Sequence, residues 1–281
     1  MSGVETSPAG SERQRRSANK TAAGEPVLVE LRNINKIYKS PRGDIHALEN
    51  INLEIRASEF LSLLGPSGCG KSTLLRCLAG LEAISSGEVR IGGELLTRPP
   101  EGLGIVFQHD LLLDWRTVLQ NVLLPIEFRR LPKRDYREPA LALLETFGLR
   151  SFADRFPWEL SGGMRQRVAI CRALIDEPSL LLMDEPFGAL DAITRDNLNI
   201  ELQRIWTRTK KSILFITHSI TEAILLSSRV AVMGRDPGHI EEIIEVALPR
   251  PRTLATRETP DFARYSAHVR AIFERLGTLI A

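Results

Sequence analysis

A chain of 281 residues, 43% hydrophobic and 26% charged, can bury a sizeable core as one large domain or a domain with a subdomain. Its formal net charge of +2, spread over basic and acidic residues in nearly equal number, gives no support to nucleic-acid binding. No stretch approaches the roughly 18 apolar residues of a membrane span, and no N-terminal apolar core marks a secretory signal, so a membrane role is expected only through a partner. The three cysteines, Cys69, Cys77 and Cys171, lack metal-ligand spacing, and a reducing cytoplasm is their expected home.

Residues 1–25 are polar and small, with no large apolar residue between Val4 and Val27, and are expected to form a mobile tail. Short β-prone runs follow at 27–31, 51–55, 60–64, 89–91 and 105–107, several alternating as a sheet with one covered face would. Between 117 and 175 the apolar spacing turns helical through Val118, Val122, Leu141, Leu144, Phe147 and Leu149, interrupted by Pro125, Pro132, Pro139 and Pro157, which predicts a helical insertion. Strands return at 180–183, 213–216 and 230–232, the first two followed by helical patterns from Ala192 and Ile220. This alternation predicts an α/β fold with a largely parallel core sheet. A last strand is expected over 239–246, a break over 248–252 at Pro249 and Pro251, and a terminal helix over 262–280.

Gly65, Pro66, Ser67, Gly68, Cys69, Gly70, Lys71, Ser72 and Thr73 fit the phosphate-loop pattern between an apolar strand and a helix. Glycines let backbone N–H groups converge on one concave nest, and the helix N-terminus adds partial positive charge for polyphosphate oxygens. Lys71 would reach the β- and γ-phosphates and Ser72 would ligate Mg2+; Cys69 fills a free position. The alternative is a plain glycine-rich turn. Downstream, Asp184 and Glu185 end an apolar strand, where open α/β sheets bind ligands. Asp184 would hold the metal and Glu185 would orient or deprotonate an attacking water; two solvated acids at a strand end are the alternative.

Leu160, Ser161, Gly162, Gly163 and Met164, followed by Arg165, Gln166 and Arg167, resemble the signature of ABC-type ATPases, against the alternative of a Ser-Gly-Gly helix cap. The resemblance covers about 27–252. It implies a P-loop NTPase fold with an antiparallel β subdomain and an inserted helical subdomain, and an ATPase that uses ATP and Mg2+. It also implies a dimer in which Ser161 and Gly163 of one subunit reach the γ-phosphate held by the other. By the same resemblance Tyr38 would stack on adenine. Gln108 would sense Mg2+ and touch the membrane partner. Gly188, Ala189, Leu190 and Asp191 would link the two ATP sites, and His218 would contact the γ-phosphate. Many members have Gln where Met164 stands. His46, His109, His239 and His268 are expected in solvent or ordinary hydrogen bonds. Arg129, Arg130, Lys133, Arg134 and Arg137 are read as a solvated face.

The boundaries expected are 26–247 for the ATPase domain, with its helical subdomain at about 109–175, and 248–281 for a C-terminal extension. Phe107, Leu112, Leu113, Trp115, Arg116, Thr117, Val118 and Asn121, with Met233, Arg235, Pro237 and Gly238, are similar to the nitrate, sulfonate, taurine and bicarbonate branch of importer ATPases. That similarity implies a homodimer beneath two transmembrane permease subunits, served indirectly by a solute-binding protein, at the cytoplasmic face of the inner membrane. A soluble ABC ATPase with no membrane partner is the alternative.

Overall fold

The computed structural model describes residues 25–41 and 43–278. The expected tail therefore lies outside the described residues except for Glu25, as does the end of the expected terminal helix.

Two long strands, β1 (Val27–Tyr38) and β2 (Ile45–Arg56), lead to β3 (Phe60–Leu64) and helix α1 (Lys71–Leu78). Strands β4 (Ser86–Ile91), β5 (Glu94–Leu95) and β6 (Leu103–Val106) precede four helices, α2 (Val118–Val122), α3 (Leu124–Phe128), α4 (Lys133–Thr146) and α5 (Gly162–Leu174). The chain then alternates β7 (Leu180–Asp184), α6 (Ala192–Thr209), β8 (Ser212–Thr217), α7 (Ile220–Leu226) and β9 (Arg229–Gly234), and ends with β10 (His239–Glu245) and α8 (Pro260–Arg275).

Strands β9, β3, β8, β7 and β6 pair in parallel in that order, with β10 antiparallel on the β9 edge; β2, β1, β4 and β5 form a separate antiparallel sheet. Composition explains the division. Every residue of β3, β7 and β8 is buried, as continuous apolar runs covered on both faces must be, whereas β1 and β2 alternate buried and exposed positions.

Strand β1 runs past its expected end at residue 31. Asn33 takes a positive φ of 50° at a register irregularity between Leu31 and Ile34, so the alternation changes phase there and hides the rest of the strand. The two-residue β5 carries no apolar run and was not expected.

Within the helical insertion, Thr117 and Gln120 form a capping box at the start of α2, satisfying two otherwise orphaned donors. Pro125 enters α3 near its start, Pro132 caps α4 and Pro157 opens a short 3-10 turn, all as breakers. Pro139 differs, because it lies inside α4 and does not interrupt it.

One apolar core joins this insertion to the parallel sheet through residues such as Val122, Leu144, Ile170, Met183 and Phe215. A second lies between the two sheets around Leu31, Ile51, Leu63 and Leu182. A third holds α8 through Phe262, Val269 and Phe273 against Ile224 of α7 and Val246 after β10. The three cysteines are free and buried.

Candidate functional site

The turn from β3 into α1 is built by its glycines. A Cβ at Gly65 would come within 2.7 Å of Cys69 Sγ, and one at Gly70, where φ is +95°, would meet Leu48 Cδ2 at 2.7 Å and the Ala47 carbonyl at 2.8 Å. The loop therefore sits too close to its neighbours for side chains and leaves its amides free to converge.

Lys71, 5% exposed, folds back over this loop and donates to the carbonyls of Gly65 at 2.8 Å and Pro66 at 2.9 Å. Its Nζ lies 3.7 Å from Glu185 Oε1. Ser72 Oγ donates to Asp184 Oδ1 at 3.0 Å. Burial raises the Asp184 pKa above the usual carboxylate range, partly offset by the Ser72 hydrogen bond. Glu185 adopts a φ of 42°, sparsely populated for a non-glycine residue. That geometry turns its carboxylate to His218, whose Nδ1 is 2.9 Å from Glu185 Oε2.

A cavity of about 430 Å³ collects Tyr38, Ser67, Gly68, Gly70, Lys71, Ser72, Thr73, Gln108 and Glu185. Lys36 Nζ stands 4.5 Å from the Tyr38 ring centroid. His46, Asp236 and Gly238 also line the cavity. His46, expected in solvent or an ordinary hydrogen bond, lines the cavity from β2, where it pairs with Ile37 next to Tyr38 on β1. Asp236 and Gly238 arrive through the β9–β10 turn, the segment with Arg235, Pro237 and Gly238 that carries part of the similarity to importer ATPases.

Ser161, Gly162 and Gly163 are not part of that cavity. They open α5, where the Ser161 hydroxyl accepts from the Met164 N–H at 3.4 Å, and a Cβ on Gly163 would strike Thr194 at 2.7 Å. Ser161 and Gly162 are exposed, as is Asp191, whose carboxylate caps α6 by accepting from the Thr194 N–H at 3.0 Å. Helix α5 also grips the loop after Gln108. Arg165 Nε meets Asp110 Oδ2 at 3.0 Å, and Arg172 donates to the carbonyls of Leu111 at 2.7 Å and Asp110 at 2.6 Å. Sequence reasoning missed these tethers, because i and j lie some sixty positions apart.

The donor set suits a hard divalent cation. Ser72 and Asp184 offer a hydroxyl and a carboxylate oxygen side by side, ligands of the kind magnesium prefers. The buried Asp184 carboxylate beside the Ser72 hydroxyl fits that role.

A family model described as "ABC transporter" matches residues 48–188, from within β2 to the loop after Glu185. This chain belongs to the ABC transporter ATP-binding family. It is an ABC-type ATPase. The nitrate import ATP-binding protein NrtD of Synechocystis is 40% identical over 250 residues, covering 87% of this chain and 94% of that protein. The aliphatic sulfonates import ATP-binding protein SsuB of Bacillus cereus is 42% identical over 227 residues, covering 81% and 89%. Among solved structures, the dimeric post-hydrolysis state of the cassette MJ0796 bound to ADP and Pi superposes with a TM-score of 0.67 at 33% identity, over 78% of the ATPase and 99% of that chain.

Proposed function

We propose that two copies of this ATPase drive an importer for a small solute of the nitrate, sulfonate or taurine class. They would work with two transmembrane permease subunits at the cytoplasmic face of the membrane, with a solute-binding protein acting indirectly. The observation that carries this reading is the division of the catalytic set: Lys71, Ser72, Gln108 and Glu185 share one cavity, while Ser161 and Gly162 stand exposed at the start of α5 and outside it. Two copies facing each other would complete both sites. The import reading is supported by relatives named for nitrate and sulfonate import.

In the half-site we assign Tyr38 to the adenine, and the amides of the loop containing Gly65, Pro66, Ser67, Gly68, Cys69, Gly70 and Thr73 to the phosphates. Lys71 leaves the Gly65 and Pro66 carbonyls to meet the β- and γ-phosphates, so its charge is spent where negative charge is densest. Ser72 and Asp184, with Gln108, would hold Mg2+, which when bound neutralises phosphate charge. Glu185 accepts the proton of the attacking water, and His218 holds that carboxylate in place at 2.9 Å. Ser161, Gly162 and Gly163 present the α5 N-terminus to the partner's γ-phosphate. Asp191, capping α6 beside α5, joins the two sites.

We assign 26–247 to the ATPase domain, about 109–175 to a helical subdomain that moves on closure, and 248–281 to an extension. Leu111, Trp115 and Phe128 are exposed at 55%, 72% and 77%, an apolar surface on the insertion suited to cytoplasmic helices of a permease. Trp115→Ala is expected to lower ATP-driven uptake while leaving ATP binding intact. The deciding experiment measures uptake of nitrate, alkanesulfonates, taurine and pyrimidine precursors in cells lacking this chain, with rescue by wild type and by Glu185→Gln. Loss of one uptake, restored by wild type alone, supports the importer and identifies its cargo. Normal uptake of every solute would shift the reading to an ABC ATPase without a membrane partner.

A further inference from the structure

A second cavity, of about 530 Å³, opens at the far end of the parallel sheet from the phosphate loop, where Lys210 precedes β8 and Arg229 begins β9. The five residues of β3 separate the two regions by about 16 Å. The wall of this cavity carries an uncompensated positive charge. Arg250 Cζ lies 4.2 Å from the ring centroid of Trp206, and Lys210 Nζ lies 4.7 Å from the same centroid.

Arg252, 3% exposed, donates to the carbonyls of Ile224 at 2.7 Å, Ser227 at 2.8 Å and Val246 at 2.9 Å. Its hydrogen bonds run to backbone carbonyls, and among the described residues no carboxylate pairs with its buried charge. Among the described residues, none of Lys210, Arg250 and Arg252 has a carboxylate within ion-pair distance. Of the acids lining the cavity, Glu59 is taken by Arg229 at 3.1 Å and by the Arg56 N–H at 2.7 Å, and Glu25 and Glu245 are exposed.

Two of the side chains that line this cavity also carry a fully buried donor without an acceptor. Arg250 spends Nη2 on the Leu226 carbonyl at 2.7 Å, but its Nη1 is unpartnered. So is Nε1 of Trp206, a side chain only 5% exposed. Unmet donors on buried groups are costly, each by an amount comparable to a lost hydrogen bond. Desolvation lowers the pKa of Arg250 to about 10 and that of Arg252 to about 9, the latter helped by repulsion from Arg250. A multi-oxygen anion would supply the missing negative charge beside Arg250 and Lys210.

We propose that this cavity is a second anion site, taking a compact tetrahedral oxyanion of the sulfate or phosphate class on Arg250 and Lys210, beside the Trp206 ring on which both cations stack. The site is independent of the nucleotide cavity. It lies at the C-terminal end of α7, and His218 precedes the other end.

The chain has three tryptophans, so Trp115→Phe with Trp158→Phe leaves Trp206 as the sole tryptophan in the full chain, read by excitation selective for indole. Sodium sulfate is titrated into that protein against sodium chloride at matched ionic strength, which separates binding from screening. A saturable change in Trp206 emission with sulfate alone is expected. It should persist in Lys71→Ala, which disables the phosphate loop, and weaken about tenfold or more in Arg250→Gln. Should Arg250→Gln fail to fold by circular dichroism, Lys210→Gln decides, since Lys210 is exposed; a loss of about threefold in affinity is expected there. The proposal is overturned by an equal response to chloride, by no saturable response, by a response lost in Lys71→Ala, or by one that the folded Arg250 and Lys210 variants leave unchanged.

Discussion

Asp184 and Lys71 show how individual groups in the site are held at a cost to the resting protein. Asp184 is buried with its pKa raised, first by desolvation, so the folded chain binds this proton more tightly than the unfolded chain does. The sign follows: the residue costs nothing below its ordinary pKa of 3.8, and its penalty grows as pH rises through the raised folded value. Asp184→Asn keeps an acceptor for Ser72 and removes the charge. We expect it to melt about 2 °C higher than wild type at neutral pH, with the difference vanishing in acid, while ATPase activity falls at least a hundredfold. Paired thermal melts across pH check the first part and phosphate release the second. Lys71 now satisfies itself on Gly65 and Pro66 and must exchange those carbonyls for phosphate. Lys71→Ala should raise the dissociation constant for ATP by roughly ten- to a hundredfold, read by titration calorimetry; an unchanged affinity would remove Lys71 from the site.

Helix α5 joins functions that the chain keeps far apart. Its N-terminus carries Ser161, Gly162 and Gly163, its first turn anchors Asp110 through Arg165, and its last turn holds the backbone of Asp110 and Leu111 through Arg172. Gln166 adds a bond to the Phe107 carbonyl at 3.4 Å. The loop after Gln108 is therefore fastened to the same helix that would face the partner's nucleotide, and a rotation of α5 must carry it along. Burial lowers the Arg172 pKa, with Asp110 opposing, so the charged guanidinium is held here at a desolvation cost. Arg172→Ala should cost about 1.5–3 kcal/mol in urea unfolding. Faster amide exchange should then appear around Leu111 and Leu112, with no change at α8, and a uniform increase would show that α5 does not act on this loop locally.

In the proposed dimer each copy supplies half of a catalytic site on one surface and the complementary half on another. Glu185→Gln keeps the shape of the site and removes the proton acceptor, so ATP should be bound and not hydrolysed. The variant is expected to run as a dimer on size exclusion with ATP and as a monomer without it. A monomer in both conditions would argue against completion of the site by a second copy. The outer faces divide by chemistry in the same way, with apolar side chains at Leu111, Trp115 and Phe128 on the helical insertion and a cationic wall at Lys210, Arg250 and Arg252 at the opposite end of the parallel strands.

Motifs confined to a few consecutive residues were readable before any coordinates. The phosphate loop, the Asp184–Glu185 strand end and the start of α5 depend on local backbone geometry, which glycines and apolar runs specify within one turn or strand. The parallel sheet was readable for the same reason, since strands covered on both faces must be apolar throughout. Folding in three dimensions supplied what depends on distant partners: His46 in the same cavity as Tyr38, the grip of Arg165 and Arg172 on the loop after Gln108, and the stacking of Arg250 on Trp206. No local pattern encodes these, because an arginine bound to a carbonyl or an aromatic ring has the same sequence signature as one in solvent, and the difference lies only in which surfaces the packed elements bring together.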